Sequence, residues 1–77
     1  MNKSIGALEF TSISRGMYVA DAIVKKADVE IIYFKTICPG KFLIIVAGDE
    51  GEVETSIDYG VSIAGKMLFD SFKVHAV

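Results

Sequence analysis

The sequence predicts one α+β domain whose secondary structure elements follow the order β-α-β-β-α-β. Two observations lead to this prediction. Four short segments are rich in β-branched and aromatic residues and alternate in polarity or are apolar throughout, which is typical of strands. Two longer segments repeat their apolar residues every three or four positions, which indicates amphipathic helices. The six segments fill most of the 77 residues, so we expect a single domain over residues 1–77.

The first strand and the first helix occupy the N-terminal third of the chain. Ser4–Phe10 is a short, mainly apolar run that ends at a polar, serine-rich cluster, which predicts a strand followed by a turn. The helix is predicted from Arg15 to about Ala27, with Ser12 or Ser14 as its N-cap and two lysines in its last turn. Its predicted buried face consists of Met17, Ala20, Ile23, Val24 and Ala27.

The second and third strands form a predicted hairpin. Asp28–Ile37 reads as a strand, and Lys41–Gly48 reads as another that is apolar on both faces, as expected of a central strand or of one covered by a neighbouring subunit. Strict alternation assigns Val29, Ile31 and Tyr33 to one face of the second strand and Glu30, Ile32 and Phe34 to the other. The residues Cys38, Pro39 and Gly40 make the tight turn between the two strands.

A second helix and a fourth strand complete the chain. Asp49 is the predicted N-cap, Glu52 stands at the third helical position of a capping box, and the helix runs to about Lys66. Its predicted buried face consists of Val53, Ile57, Val61, Ala64 and Leu68. Phe69–Val77 alternates apolar and polar residues as a strand does, with His75 as a surface histidine on the polar side.

This element order is that of the ferredoxin-like arrangement or a close relative, an antiparallel sheet with both helices on one face. Because many unrelated functions use this fold, the order alone does not indicate an activity.

Composition and charge limit the functions that remain. Ten acidic and eight basic residues leave a net charge of -2, so there is no basic field for nucleic acid. The longest apolar run, Phe42–Ala47, is far shorter than a membrane span, and the N-terminus resembles no signal peptide, so we expect a cytosolic chain with no membrane contact. A hydrophobic fraction of 52% and a mean hydropathy of +0.47 are high for a small soluble monomer. Subunit contacts are the simplest explanation.

The turn carries the only cysteine and the only proline of the chain. One cysteine cannot hold an iron-sulfur cluster, which normally needs about four thiolates. Rotational symmetry would supply further copies, because a residue near the axis of a cyclic oligomer becomes a ring. The alternative is an ordinary loop thiol without a ligand, and on the residues alone this is the favoured interpretation.

A resemblance to a known family rests on four stretches: IGALEF with the serine-rich turn after it, ADAIVKKADVEI, ICPGKFLIIVAGD, and the helix that ends in AGKML. They are similar to the bacterial microcompartment shell domain. The resemblance implies flat hexamers, or trimers of tandem domains, that tile with other shell proteins around metabolic enzymes. It implies that Lys25 contacts the edge of a neighbouring tile. It also implies a central pore lined by the β2-β3 loop, here Ile37, Cys38, Pro39, Gly40 and Lys41.

The combination of TSISRGM with KTICPGKFL is similar, within that family, to the first domain of the tandem shell proteins of propanediol-utilisation compartments. This resemblance implies that Cys38 is a ligand of a 4Fe-4S cluster shared between subunits at the pore and used in electron transfer. A tandem protein has a second shell domain, whereas this chain is either a single-domain protein or one half of a longer one. A hexamer of single domains would bring six cysteines to the pore, which leaves the number of cysteines per cluster open.

Several alternatives stay open at this stage. Lys41 either faces the pore mouth, where a positive ring would favour anions, or is a simple exposed lysine. The acidic residues Asp49, Glu50, Glu52 and Glu54 suit a helix start better than a cation site. No catalytic constellation or phosphate loop is visible, so we do not expect an enzyme. The alternative to a shell protein is an oligomeric, ferredoxin-like regulatory domain that binds a small molecule.

Overall fold

The computed structural model describes residues 3–38 and 40–74, and the six predicted elements appear in the predicted order. His75 and the end of the predicted last strand lie outside the described residues. A turn of 3-10 helix, Gly65–Met67, separates the second helix from the last strand. The elements are β1 Lys3–Phe10, α1 Ile13–Lys26, β2 Glu30–Cys38, β3 Lys41–Asp49, α2 Glu50–Ala64 and β4 Leu68–Val74.

The four strands form one antiparallel sheet in the order β2-β3-β1-β4. The strand that is apolar on both faces, β3, lies in the interior of the sheet between β2 and β1, which is the first of the two alternatives that the sequence allowed for it. β2 and β4 are the edge strands. The predicted antiparallel α+β arrangement is therefore confirmed.

Both helices cover the same face of the sheet, and the core lies between the two layers. Leu8 and Phe10 of β1 are fully buried, and alternate residues of β3 are buried with them. Each helix contributes aliphatic side chains to this single cluster. The cluster consists of Leu8, Phe10, Val19, Ala20, Ile23, Phe42, Ile44, Val46, Val53, Ile57 and Ala64.

The N-terminus of α1 is capped by Ser12 and not by Ser14. The Ser12 Oγ accepts a hydrogen bond of 3.2 Å from the backbone N–H of Arg15. The helix accordingly begins at Ile13, two residues before the predicted start at Arg15. A serine side chain that accepts from the third helical N–H satisfies one of the donors that every helix start leaves without an internal partner.

The buried face of α1 differs from the predicted one. Ala20, Ile23 and Ala27 are buried as expected, but Met17 and Val24 are exposed. Gly16 and Val19 are buried in their place. A Cβ at Gly16 would lie 2.9 Å from Cε2 of Phe42 and closer still to Cδ2. The helix packs through its glycine because the absent side chain lets the backbone approach the Phe42 ring.

The second helix also departs from its sequence pattern. Asp49 is the N-cap residue, but its side chain makes no capping hydrogen bond. The predicted capping box is therefore wrong. The Glu52 Oε1 instead accepts a 2.8 Å hydrogen bond from the backbone N–H of Asp28. The helix ends at Ala64, before the predicted Lys66, where Gly65 adopts a φ of 63°.

On the buried face of α2, small side chains replace part of the predicted set. Val53, Ile57 and Ala64 are buried as predicted, whereas Val61 is exposed and Leu68 is the first residue of β4. Ser56 and Gly60 are buried. The Ser56 hydroxyl donates to the carbonyl of Val53 at 2.8 Å, so a polar side chain is accommodated in the core.

Candidate functional site

The turn between β2 and β3 is as tight as the sequence predicts. Cys38 is the last residue of β2, and its backbone is the register partner of Lys41, the first residue of β3. Gly40 has a φ of 80°, the left-handed value that the third position of a type II turn needs. Pro39 lies outside the described residues. Cys38 therefore ends a strand at the base of the turn and does not lie at the tip of a longer loop.

Two irregularities interrupt the pairing of β2 with β3. The register shifts between Ile31 and Tyr33 and again between Thr36 and Cys38. The first shift corrects the predicted alternation: Ile31 pairs with Val46 and Phe34 with Ile44, so both lie on the core face of the sheet. An extra residue at a bulge changes the face of every residue after it.

Ile37 falls in the second irregularity and has no register partner on β3. Its side chain is exposed. Of the predicted pore residues in the described part of the chain, Ile37 and Cys38 belong to β2, Gly40 to the turn and Lys41 to β3. The structure thus brings these residues together at one end of the hairpin.

Lys41 is not the simple exposed lysine of one sequence alternative. Its Nζ lies 3.8 Å from Oε2 of Glu9 on β1, and both side chains are more than half buried. The ammonium is therefore held over the open face of the sheet, the face that carries no helix. Sequence reasoning did not single out Glu9, because the pair joins residues that are far apart in the chain and meet only through the pairing of β1 with β3.

The second lysine beside the turn, Lys35, also has a partner on its own strand. Its Nζ lies 6.0 Å from the centroid of the Tyr33 ring. Lysine ammonium groups at this distance are attracted by the quadrupole of an aromatic ring. Lys35 and Lys41 give the base of the turn two cations, one of which is balanced by Glu9.

Lys25 lies at the opposite end of the hairpin from Cys38. It is in the last turn of α1, which leads directly into the start of β2 at Glu30. From Glu30 to Cys38 the strand makes eight residue steps, roughly 26 Å at the usual strand rise. The Lys25 Nζ is 2.9 Å from Oδ2 of Asp21, one helical turn earlier, and both side chains are well exposed. The two predicted sites are therefore separate.

Among residues 3–38 and 40–74, no group of three or more histidine, cysteine, aspartate or glutamate side chains is placed to hold a metal ion. Of the acidic residues at the start of α2, Glu52 accepts a hydrogen bond from the backbone N–H of Asp28. A cleft of about 300 Å³ opens beside them, at the end of the hairpin away from the turn, and its lining mixes both charges. Within the described residues, neither helix is long and apolar enough to cross a membrane.

Three comparisons with known proteins agree on the kind of domain. The family model "BMC domain" matches residues 4–77. The bacterial microcompartment shell protein PduT of Citrobacter freundii is 49% identical over 99% of this chain, which spans 43% of the PduT length. The carboxysome shell protein CcmK2 of Synechocystis is 30% identical over 87% of this chain and 65% of its own.

A solved structure shows the same fold. The crystal structure of a microcompartment protein from Desulfitobacterium hafniense DCB matches 94% of this chain with a TM-score of 0.90 and 38% sequence identity. The match covers 40% of that longer chain. As with PduT, this chain therefore corresponds to less than half of the matched protein.

Proposed function

This chain belongs to the BMC-domain family of bacterial microcompartment shell proteins, and from this premise we propose that it forms a flat cyclic oligomer whose central pore is lined by the Cys38 turn. The observation that carries the proposal is the tight β2-β3 turn, which presents the single cysteine of the chain at one end of an elongated hairpin. The role is structural and not catalytic, in keeping with relatives that are named as shell proteins.

The apolar character of the surface supports an oligomer. Ten large hydrophobic side chains are exposed among the described residues of this short chain. A single domain of this size has a marginal core, and burial of such side chains between subunits would add to its stability. We propose a hexamer for the chain as given, and a trimer if it is one half of a tandem protein.

The position of the turn suits a residue near a rotation axis. A two-residue connection projects little beyond the strands, so copies of the turn could approach one another closely. A Cβ built on Gly40 would meet nothing within 4 Å, so the space around the turn is open on its own chain. In a ring, this open space would form the pore, and the copies of Cys38 would surround it.

A 4Fe-4S cluster fits this donor set if three copies of Cys38 converge. Three thiolates would leave one iron for water or another donor, and in a hexamer the cluster would use alternate subunits. The cluster, when bound, supplies one-electron transfer across the shell. Cys38 would hold it, and the lysines at the base of the turn would place positive charge beside it. Without a cluster, the same turn would line a pore for a metabolite.

The proposal is tested by native mass spectrometry on protein purified without oxygen, because one spectrum reports subunit number and bound iron and sulfide. We expect a hexamer, or a trimer of a tandem protein, and a mass increment for one cluster per ring. A ring without the increment would leave a thiol-lined pore and refute the cluster. A monomer or dimer at all accessible concentrations would refute the ring and favour a regulatory domain.

A further inference from the structure

Glu9 is an acidic side chain that reaches the base of the Cys38 turn from another strand. It stands on β1 between Leu8 and Phe10, whose side chains are buried in the core, so Glu9 lies on the open face of the sheet. Its register partner on β3 is Leu43, two residues after Lys41. Lys41 is therefore a diagonal neighbour of Glu9 across the β1-β3 pair, a spacing that long side chains can bridge.

The pair of Glu9 with Lys41 is more buried than the exposed ion pair of Lys25 with Asp21. The Glu9 side chain is 17% exposed and the Lys41 side chain 31%, with 3.8 Å between Oε2 and Nζ. In the Lys25 pair the corresponding values are 65% for the aspartate and 73% for the lysine. Solvent ions screen a partly buried pair less than an exposed one. Glu9 therefore offsets the charge of Lys41 where that charge is least screened.

Of the two lysines on the hairpin, Lys41 is the nearer to the turn. It is the register partner of Cys38, whereas Lys35 pairs with Leu43, two residues further from the turn. Lys35 is exposed, so water and salt weaken the field of its ammonium group. The hairpin charge closest to Cys38 is thus the one that Glu9 balances.

We propose that Glu9 is a specificity-determining residue of the pore. The inference rests on the proposed function, since it takes the Cys38 turn as the part nearest the axis of a ring. Each subunit would then place one Glu9-Lys41 pair around the axis, in place of a ring of net positive charge. A ring of lysines concentrates anions, whereas a ring of ion pairs does not. Glu9 thus suits the pore to small, polar, uncharged solutes rather than to anions.

The test reads the charge at the turn from the reactivity of the Cys38 thiol in assembled rings that a chelator has freed of iron. Two methanethiosulfonate reagents are compared, one with a sulfonate group and one with a trimethylammonium group. Both react with the same thiolate, so the ratio of the anionic to the cationic rate is independent of how much thiolate is present. The ratio in each variant is compared with that of the unmodified chain.

In Glu9→Gln, which keeps the size of the side chain and removes its charge, we expect this ratio to rise about fourfold or more at low ionic strength. This is the effect of one unit charge at about 10 Å in water on two reagents of opposite charge. Lys41→Gln should lower the ratio by a similar factor. The double variant should return it close to the value of the unmodified chain.

The matched control is Glu54→Gln, and native mass spectrometry confirms that each variant forms the ring. Glu54 is exposed on α2, in the helix layer on the other face of the sheet. Its substitution makes the same change of charge as Glu9→Gln, but away from the turn. We expect it to leave the ratio unchanged.

The inference is overturned if Glu9→Gln changes the ratio no more than Glu54→Gln does, and the proposed shell role then stands. If Glu9→Gln does not form the ring, Lys41→Gln decides, because an unchanged ratio in that variant overturns the inference equally. A Cys38 thiol that reacts with neither reagent also overturns it, since no solute would then reach the turn. An unmodified chain that never assembles would refute the proposed function itself, and the inference with it.

Discussion

Cys38 ends β2, and its backbone pairing with Lys41 is independent of the chemistry of its side chain. We predict that Cys38→Ser leaves the fold and the oligomer unchanged, because serine is similar in size and preserves the strand end. The variant should lose bound iron and brown colour completely, since the serine hydroxyl does not replace the thiolate. Iron content and visible absorbance of protein purified without oxygen check this, with light scattering as the control for assembly. Dissociation into monomers would show that Cys38 contributes to subunit packing.

The ion pair between Glu9 and Lys41 is an interaction that can be recognised only in the folded chain. In sequence, Lys41 is one of two lysines beside the turn, and nothing distinguishes a pore-facing lysine from a solvated one. In the structure, Glu9 on β1 lies 3.8 Å from its ammonium. Pairing with a carboxylate reduces the positive charge that Lys41 could contribute to a pore, so Lys35 is the stronger candidate for an effect on anions.

At the scale of elements, the position of α1 depends on the contact between Gly16 and Phe42. We predict that Gly16→Ala lowers the free energy of unfolding by about 1–3 kcal/mol, because the added methyl group overlaps the Phe42 ring and the helix must shift. Urea denaturation measures this change. Gly51→Ala on α2 is the matched control, since its Cβ would meet nothing within 4 Å.

For the control, we expect a gain of up to about 1 kcal/mol from the higher helix propensity of alanine. If Gly16→Ala were as stable as the control, the close packing of α1 on Phe42 would be contradicted.

The bulges of β2 are the second feature at this scale. Strict alternation predicts that Ile31 and Phe34 lie on opposite faces, but the register shift between Ile31 and Tyr33 puts both on the core face. This is why Phe34 contacts Phe42 from the edge of the sheet. A bulge depends on the pairing partner as well as on the strand itself, so the residues of β2 alone did not indicate it.

At the scale of the whole molecule, Lys25 and the Cys38 turn lie at opposite ends of the hairpin. If the turn is near the axis of a ring, Lys25 is near the rim, where the family resemblance also places it. We predict that Lys25→Ala abolishes or strongly reduces the formation of extended planar arrays while the ring stays intact. Loss of its exposed pair with Asp21 should cost at most about 0.5 kcal/mol of stability. Negative-stain electron microscopy of concentrated protein would detect the arrays.

Lys26→Ala is the control for this prediction, because Lys26 has the same charge but lies against Tyr59 between the two helices. It should leave the arrays unchanged. Equal effects of both variants would indicate a general dependence on charge, and the specific edge role of Lys25 would be refuted. Arrays that persist in Lys25→Ala would refute it as well.

Local patterns in the amino-acid sequence were sufficient for the element order and the tight turn at Cys38, and they left the central place of β3 as one of two alternatives. These features follow from the periodicity of apolar residues and from the backbone preferences of proline and glycine, which act between near neighbours in the chain. The buried flank of α1, the bulges of β2 and the pairing of Glu9 with Lys41 became clear only in the folded chain. Each of them depends on contacts between residues that are distant in sequence, or on which strand is left at the edge of the sheet, and no local pattern records either.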